Sequence, residues 1–347
     1  MSGATVEAIA YNIISQLREE TNTFINWHAC EPTTVPIEWY KHATSLFAQS
    51  KRGAPLQFSI QTNGISLSDE WVDFLYESRT QVGLSLDGPE CIHDLHRRTK
   101  NGRGTWKLVM ATLAKLRRRG IEPNVISVVT KDTLDRAEDL LDFYSEYNIM
   151  NVGLNFEEEE GANAASSLAG REALSRVEEF LKAFLKGIVD RRMPLHVREV
   201  ERILSVMAHH DAMRFNDQVV PLAIMTIDVH GGIYSFSPEF TEHAYGNWAD
   251  LCLGSVHAHR LQDIASSAAF RKIFDQIEKG VALCRESCAI WRVCGGGAPS
   301  NKLAETGSLA VAETQFCRLN VKAVVKALHH LLPELSGSQI ETGAEFD

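Results

Sequence analysis

The stretch VISVVTKDTLDRAEDLLDFYSEYNIMNVGLNF, at residues 125–156, decides the fold because it predicts a strand, a helix and a second strand. Val125 to Val129 is a short apolar run, as expected for a strand buried on both faces. Leu134 to Tyr147 is predicted to be a helix, and Val152 to Phe156 a second strand. Two strands joined by a helix form a right-handed crossover, which predicts a parallel sheet.

The same alternation extends toward the start of the chain. Further strands are predicted at Thr23 to Trp27, Leu56 to Thr62 and Val82 to Leu86. Helices from about Ile37 to Gln49 and from about Thr105 to Arg119 lie between predicted strands. Five strands separated by helices indicate an α/β fold, as an open sheet or a barrel. In either case function collects at the carboxyl ends of the strands.

Polar residues and glycines follow four of these strands. The strand ends are His28 to Pro32, Gln61 to Gly64, Ser85 to Gly88 and Asn155 to Glu160. Each alone is weak, because polar residues often end strands, but together they indicate a site at one edge of the sheet. Within the last of them, Glu157 to Glu160 is either a solvated charged run or a wall for a peptide substrate that carries Lys or Arg.

Four cysteines near the end of the chain have the spacing of a metal site. Cys284, Cys288 and Cys294 lie within eleven residues, three glycines follow Cys294, and 22 residues separate it from Cys317. Thiolates are soft ligands for zinc or iron–sulfur clusters, and glycines let the backbone fold tightly around an inorganic core. Disulfides or scattered core cysteines are the alternatives. Seven cysteines in 347 residues are too few for a disulfide scaffold, which favours metal.

Composition argues against several other classes of protein. A formal net charge of −10 disfavours nucleic-acid binding. No apolar run approaches the length that spans a membrane, and the amphipathic segment Met1 to Glu20 is unlike a secretory signal. We therefore expect a cytoplasmic protein that binds neither nucleic acid nor membrane, in which clustered thiols remain available to metal.

Together, the strand ends and the cysteine block resemble radical S-adenosylmethionine (SAM) enzymes with a C-terminal SPASM or twitch domain. The resemblance is greatest to the maturases of glycine-rich-repeat peptides, relatives of the cyclophane-forming synthases. It extends from about residue 20 to about residue 330, and its C-terminal block is the most specific part. The matching stretches are Gln61–Gly64, Ser85–Pro89, His93–Arg97, Gly102–Thr105, Asn155–Gly161, Phe236–Glu239, Cys294–Lys302 and Glu313–Arg318.

This resemblance implies a partial parallel (β/α) barrel that lacks its first strand, with a C-terminal SPASM/twitch-like iron–sulfur extension. The implied domains are the barrel at residues 1–165, a helical connector at 166–220, the cluster domain at 221–335 and a flexible tail at 336–347. The implied function is maturation of a ribosomally made precursor peptide by hydrogen abstraction and oxidative crosslinking, with an external electron donor. The alternative is a non-catalytic relative that binds a peptide or a partner and has a structural metal site.

The resemblance also assigns site residues. Glu31 would contact the amino group of SAM, Asn63 and Ser85 would lie near its methionine or ribose, and Arg97 would face its carboxylate. Alternatively, Asn63 and Ser85 only make hydrogen bonds at turns and strand ends, and Arg97 pairs with Asp94 at the surface. The four C-terminal cysteines, Cys284, Cys288, Cys294 and Cys317, would hold one auxiliary 4Fe–4S cluster, with structural zinc as the alternative.

Two departures from the family pattern stand in the sequence. The family opens with a C-x3-C-x2-C loop that holds the SAM-cleaving cluster, whereas here the first cysteine is Cys30 and no other lies within 60 residues. Two glycines usually precede the glutamate, whereas here Ala29 and Cys30 do. Three explanations are open. The sequence starts at an internal methionine, or the protein is a truncated or decayed relative, or it is a working protein without radical chemistry. As it stands, we expect it not to cleave SAM.

No catalytic base is assigned from the sequence. Glu239 and Asp228 are candidates only because they flank the predicted hairpin turn at His230 to Gly232. Two histidine pairs, His209 with His210 and His257 with His259, are more typical of a helix face or a loop than of a metal site.

Overall fold

Six parallel strands form the main sheet of the computed structural model, which describes residues 1–159, 163, 165–208, 216–241 and 251–336. The strands lie side by side in chain order, so every crossover joins neighbours. The elements are α1 (Gly3–Asn12), β1 (Thr23–Trp27), α2 (Ile37–Ser50), β2 (Leu56–Thr62), α3 (Asp69–Glu77), β3 (Gln81–Ser85), α4 (Glu90–His96), α5 (Trp106–Arg119), β4 (Asn124–Val129), α6 (Ala137–Glu146), β5 (Asn151–Phe156), α7 (Arg171–Asp190), β6 (His196–Val197) and α8 (Arg198–Met207).

All five predicted strands are present, and the α/β fold with a parallel sheet is confirmed. Local signals position several helix ends as expected. Ser68 caps α3, with its Oγ accepting a hydrogen bond from the Trp71 N–H at 3.2 Å. Gly120 ends α5 with φ at +89°, a left-handed conformation that glycine adopts without strain.

The sequence prediction lacked the sixth strand. His196 and Val197 pair with Asn151 and Val152 of β5, and α8 begins directly after them. Two residues are too few to show a strand period, so the sequence suggested only a helix there. Among the described strands, β1 and β6 do not pair with each other, so the sheet is open and forms a partial barrel.

The two faces of the sheet differ in burial. On β4, Val125, Ser127 and Val129 are buried, whereas Ile126 and Val128 are only half-buried, so burial on both faces was predicted too strongly. The buried face packs against the helices, where Leu84 and Leu154 lie in one core with Phe184 of α7. The opposite face of the sheet is less buried, and its carboxyl edge is called the cleft below.

A small antiparallel sheet and a set of helices follow. The predicted hairpin is confirmed, because Met225 pairs with Ser235 and Ile227 pairs with Ile233. The elements are β7 (Met225–Ile227), β8 (Gly232–Ser235), β9 (Gly254–Ser255), α9 (Leu261–Ser266), α10 (Ala268–Ser287), α11 (Trp291–Cys294), α12 (Pro299–Thr306), α13 (Gln315–Cys317) and α14 (Ala323–Ser336), with a π-helical turn at Arg318–Lys322 before α14.

Both ends of the described chain pack against distant parts of the sequence. Val324 and Leu328 of α14 lie in the same hydrophobic core as the main sheet and α7. Val6 and Ile9 of α1 lie in a second core with Phe236, which follows β8, and with residues of α10. The barrel and the cysteine-rich region are therefore joined by two shared cores. None of the helices in the described ranges is both long and apolar enough to cross a lipid bilayer.

Candidate functional site

Polar side chains line the less buried face of the sheet toward its carboxyl edge. Ser59 of β2 donates a hydrogen bond to Asn26 Oδ1 of β1 at 3.0 Å. One pair further along, Gln61 donates through Nε2 to Ser85 Oγ at 3.2 Å. Ser85 is thus at the edge of the cleft, where its role was predicted, and it is paired with a neighbouring strand. The cleft surface is polar because alternate residues of each strand point into it.

Glu31 bridges the ends of the first two strands. Its Oε1 accepts hydrogen bonds from Thr33 Oγ1 at 2.6 Å and from Thr62 Oγ1 at 2.8 Å, and its Oε2 accepts one from the Asn63 N–H at 2.7 Å. Oε1 also accepts from the Thr33 N–H at 3.1 Å, so Oε1 takes three hydrogen bonds and Oε2 takes one. Each carboxylate oxygen has two lone pairs, so Oε2 retains capacity for one further donor such as an ammonium group. The Asn63 side chain accepts from the Ile65 N–H at 2.9 Å, which makes it part of its own turn.

The two residues before Glu31 have a backbone conformation that favours glycine. Ala29 has φ of +75° and Cys30 has φ of +51°. Left-handed conformations cost non-glycine residues about 1–2 kcal/mol each because Cβ approaches the following carbonyl oxygen. The loop therefore keeps the shape of a two-glycine turn while carrying two side chains, at the position where close approach of a ligand was expected.

Arg97 pairs with Asp87 and not with Asp94. Its Nε donates to Asp87 Oδ2 at 2.5 Å and its Nη2 to Asp87 Oδ1 at 3.1 Å, which is a bidentate ion pair. Asp87 is buried, and its Oδ1 also accepts from the Val128 N–H at 2.9 Å. The alternative prediction, a surface pair of Arg97 with Asp94, is therefore wrong. Asp94 instead accepts a hydrogen bond from the Thr105 N–H at the start of α5.

A third polar bridge, which the sequence prediction missed, lies at the ends of β5 and β6. Arg198 donates through Nη2 to Asn155 Oδ1 at 2.5 Å and through Nε to Glu199 Oε1 at 2.7 Å. Glu199 Oε2 accepts from the Leu154 N–H at 2.9 Å. Gly153 makes room, because a Cβ there would lie 2.7 Å from Arg198 Cζ. The guanidinium group of Arg198 thus lies beside the cleft, where α8 begins after β6.

Glu158 connects the cleft to the cysteine-rich region. Its Oε2 accepts a hydrogen bond from Asn301 Nδ2 of α12 at 2.8 Å. Burial raises the pKa of Glu158 to about 7, and the nearby carboxylates of Glu239 and Glu305 act in the same direction, against the Asn301 hydrogen bond. Glu158 is half-buried and its carboxylate has a specific partner in Asn301, so it is not a fully solvated member of the acidic loop, while Glu160 lies outside the described residues.

Cys284, Cys288, Cys294 and Cys317 lie in one region of the fold. Cys284, Cys294 and Cys317 are buried and Cys288 is half-buried, and none is in a disulfide. Burial raises the pKa of the Cys317 thiol to about 12, with further contributions from Cys294 and Cys288. Burial likewise raises the pKa of the Cys284 thiol, with Lys302 acting in the opposite direction and Cys294 and Cys288 adding to the rise. The thiols are thus close enough to interact across a shared, water-poor space.

The residues around these thiols fit a bulky inorganic group. Gly295, Gly296 and Gly297 all have positive φ, at +68°, +110° and +79°. A Cβ on Gly296 would lie 2.7 Å from Val281 Cγ2, so only glycine lets this loop approach α10. Within the described ranges, no three His, Cys, Asp or Glu side chains are close enough together to hold a single metal ion. The donor set of four thiols with a glycine loop suits an iron–sulfur cluster.

The remaining sequence candidates have structural roles or fall outside the description. Asp228 accepts hydrogen bonds from the His230 and Gly232 N–H groups, as expected of a turn residue. His259 Nδ1 accepts from the Ser255 N–H at 3.1 Å. His209 and His210 lie outside the described residues.

Comparisons with known proteins identify the family of this chain. The model of the Radical SAM superfamily matches residues 5–144. The chain is 32% identical over 337 residues to protein sll1766 of Synechocystis, and the alignment covers 96% of this chain and 85% of that protein. It is 24% identical over 302 residues to a serine-type anaerobic sulfatase-maturating enzyme of Bacteroides thetaiotaomicron, covering 84% and 72% of the two chains.

Solved structures show the same fold. Native anSMEcpe with bound AdoMet has a TM-score of 0.76 at 18% identity, with 97% of this chain and 90% of that chain covered. Streptococcus suis SuiB has a TM-score of 0.61 at 15% identity, with 89% and 70% covered. The chain therefore belongs to the radical SAM superfamily. Its relatives are of the maturase type, and the family's cofactors are SAM and iron–sulfur clusters.

We predict that Ala29→Gly and Cys30→Gly are each neutral or stabilising by up to about 1 kcal/mol. Relief of the left-handed strain is worth about 1–2 kcal/mol, and the greater freedom of glycine in the unfolded chain offsets about 0.4–1 kcal/mol of it. The free energy of unfolding from urea denaturation measures the effect. The control is Ala111→Gly on the exposed face of α5, which should destabilise by about 1 kcal/mol. Equal losses at Ala29 and Ala111 would refute the strain.

Glu158→Gln should become more stable relative to the parent as pH rises from about 5 to about 8. The folded state holds the Glu158 proton up to a pKa of about 7, and the unfolded chain releases it near 4.5. Between these values the folded state binds more protons, so the parent loses stability as pH increases, by on the order of 1–3 kcal/mol. Glutamine removes this dependence and still accepts from Asn301.

Thermal midpoints at the two pH values measure this difference. Glu77→Gln, at the exposed end of α3, is the control and should differ little from the parent at either pH. A difference between Glu158→Gln and the parent that stays constant with pH would contradict the raised pKa.

Proposed function

We propose that this protein is a radical SAM-type maturase of a ribosomally made peptide, and that its C-terminal thiols hold one auxiliary 4Fe–4S cluster. The observation that carries the proposal is the convergence of four cysteines beside a glycine loop, in a region joined to the barrel by Glu158 and Asn301. In this proposal residues 1–165 form most of the barrel, the segment at 166–220 adds β6 to its sheet and leads to the cluster domain at 221–335, and 336–347 are a tail.

The auxiliary cluster would be held by Cys284, Cys288, Cys294 and Cys317. Four protein thiolates complete a cubane and leave no iron open, so the cluster would supply structure or electron transfer. The chain contributes a buried pocket in which the free thiols stay protonated, since burial raises the pKa of Cys284 and of Cys317. Cluster assembly in this pocket would then release protons.

A peptide substrate would enter the cleft along the polar face of the sheet. SuiB has been solved bound to precursor peptide SuiA, and anSMEcpe with bound peptides, which supports a peptide as the partner of this chain as well. Glu158 stands between the strand ends and α12, and when ionised it would attract a basic peptide side chain. Glu239 lies near enough to raise the pKa of Glu158, which keeps it as a candidate base.

SAM would bind at the carboxyl edge of β1 to β3. Glu31 Oε2 has one free acceptor site for the amino group, and Ser85 and Asn63 border the same edge. Arg97 is half-exposed, but its guanidinium donors already bond Asp87. Contact with a SAM carboxylate would require the guanidinium group to bind both carboxylates. Hydrogen abstraction and crosslinking need in addition the SAM-cleaving cluster. No C-x3-C-x2-C motif, whose three thiolates would hold that cluster, occurs in these 347 residues.

The second candidate function is a non-catalytic relative that binds a peptide or a partner and keeps a structural metal site. The observation that favours it is the loop before Glu31, where Ala29 and Cys30 occupy left-handed backbone positions and place side chains beside the expected SAM amino group. This candidate retains the cleft and the C-terminal thiols and makes no use of SAM.

We predict about four irons and about four acid-labile sulfides per chain after anaerobic reconstitution, because four thiolates hold one cubane. Cys294→Ala should lose them, since it removes a buried ligand. Cys252→Ala is the control: it lies away from the four thiols, and its Sγ contacts the Gly254 carbonyl. One zinc and no iron would contradict the cluster, and about eight irons would reveal a second cluster site.

The 347-residue chain should form no 5′-deoxyadenosine from SAM and dithionite after reconstitution, because it lacks the C-x3-C-x2-C ligands. Chromatography of the reaction measures the product. Isothermal titration with SAM separates the two candidates: binding that is lost in Glu31→Gln favours the maturase, and absence of binding in both favours the non-catalytic relative. Formation of 5′-deoxyadenosine would refute the inference drawn from the missing thiols.

A further inference from the structure

A lysine is buried against Cys284, one of the four thiols. Lys302 of α12 is only 3% exposed, and its Nζ lies 3.5 Å from Cys284 Sγ. No carboxylate of the described residues forms an ion pair with it. A buried ammonium group without an anionic partner is costly, because the charge loses its hydration. The position therefore calls for a negative group on the cysteine side of the side chain.

Neighbouring glycines hold this side chain in place. A Cβ on Gly280 of α10 would lie 3.1 Å from Lys302 Nζ, and a Cβ on Gly297 would lie 3.4 Å from Lys302 Cε. Two backbone segments thus approach the lysine from α10 and from the loop that follows Cys294. The ammonium is positioned by packing and is directed toward the thiols.

We propose that Lys302 is the buried counter-ion of the auxiliary cluster and sets its reduction potential. The inference rests on the proposed 4Fe–4S assignment. A cubane with four thiolates is an anion, and its negative charge grows by one when it takes one electron from an external reductant. A fixed cation in a water-poor space stabilises the reduced form more than the oxidised form, so it raises the potential.

A second lysine near the thiols provides the contrast. Lys322 interacts with Cys317 and Cys288, but its Nζ lies 2.9 Å from Glu313 Oε1 and its side chain is 37% exposed. Its charge is therefore offset by a carboxylate and screened by water and salt. Removal of either lysine changes the net charge equally, so the pair separates a buried counter-ion from a general charge effect.

The test is a redox titration of the reconstituted protein with dithionite, followed by the electron paramagnetic resonance signal of the reduced cluster. Lys302→Met should lower the reduced-to-oxidised ratio at a given potential at least tenfold, a shift of about 59 mV to more negative potential for a one-electron couple. Lys302→Arg should restore most of the shift. Lys322→Met should shift the potential less, and its shift should shrink with added salt while that of Lys302→Met persists.

An unchanged potential in Lys302→Met, or one matched by Lys322→Met at every salt concentration, overturns the role of Lys302. If Lys302→Met fails to retain iron, Lys302→Arg decides: retention in the arginine variant supports a required charge, and loss in both variants overturns the charge role in favour of packing. A parent protein without iron overturns the proposed function and this role together, whereas a loaded parent with an unmoved potential overturns the role alone.

Discussion

A parallel sheet brings the carboxyl ends of its strands to one edge, and the backbone N–H groups there need acceptors once strand pairing stops. Three carboxylates meet this need, each across a pair of neighbouring strands. Glu31 accepts from the end of β2 while it follows β1, Asp87 accepts from β4 while it follows β3, and Glu199 accepts from β5 while it follows β6. The shape of the cleft depends on these bridges, because they fix the loops that border it.

The region of the four cysteines differs from the cleft edge in its electrostatics. The cleft edge satisfies its charges with backbone donors and arginines, whereas the cysteine side concentrates groups that are neutral or unpaired in the free protein. Cys317 and Cys284 are buried thiols with raised pKa values, and Lys302 is a buried cation. The proposed cluster would offset the charge of Lys302 and take up the thiols as thiolates, so its binding would stabilise this region.

The strands were predictable because short apolar runs with a two-residue period are bounded by turn residues, as Leu56 to Thr62 is by Asn63 and Gly64. The sixth strand was not, because His196 and Val197 show no period. Among the candidate site residues, the sequence identified the four cysteines by spacing, and their role as ligands stays a prediction. It could not show which glutamate of the acidic loop contacts the cysteine-rich region, because the partner of Glu158 is Asn301, 143 residues away.

The partner of Arg97 illustrates the same limit. Asp94 lies three residues earlier, at the spacing where helical neighbours meet, so it was the natural guess. In the fold, α4 ends at His96 and Asp94 serves the start of α5, which leaves Arg97 to turn back toward Asp87. The partner of Arg97 depends on where α5 packs, and the sequence alone does not show this. The roles of Asn63 and Ser85 toward SAM stay predictions for the same reason, since the structure shows only their contacts within the chain.

The placement of α14 has a consequence for synthesis of the chain. This helix supplies Val324 and Leu328 to the core beneath the sheet, yet it is synthesised after every strand of that sheet. Until then the apolar side of α7, including Phe184, lacks part of its cover. The barrel cannot complete its core as an independent early unit, so its folding waits for the cysteine-rich region to be made. The thiols are therefore synthesised before the core of the barrel can be completed.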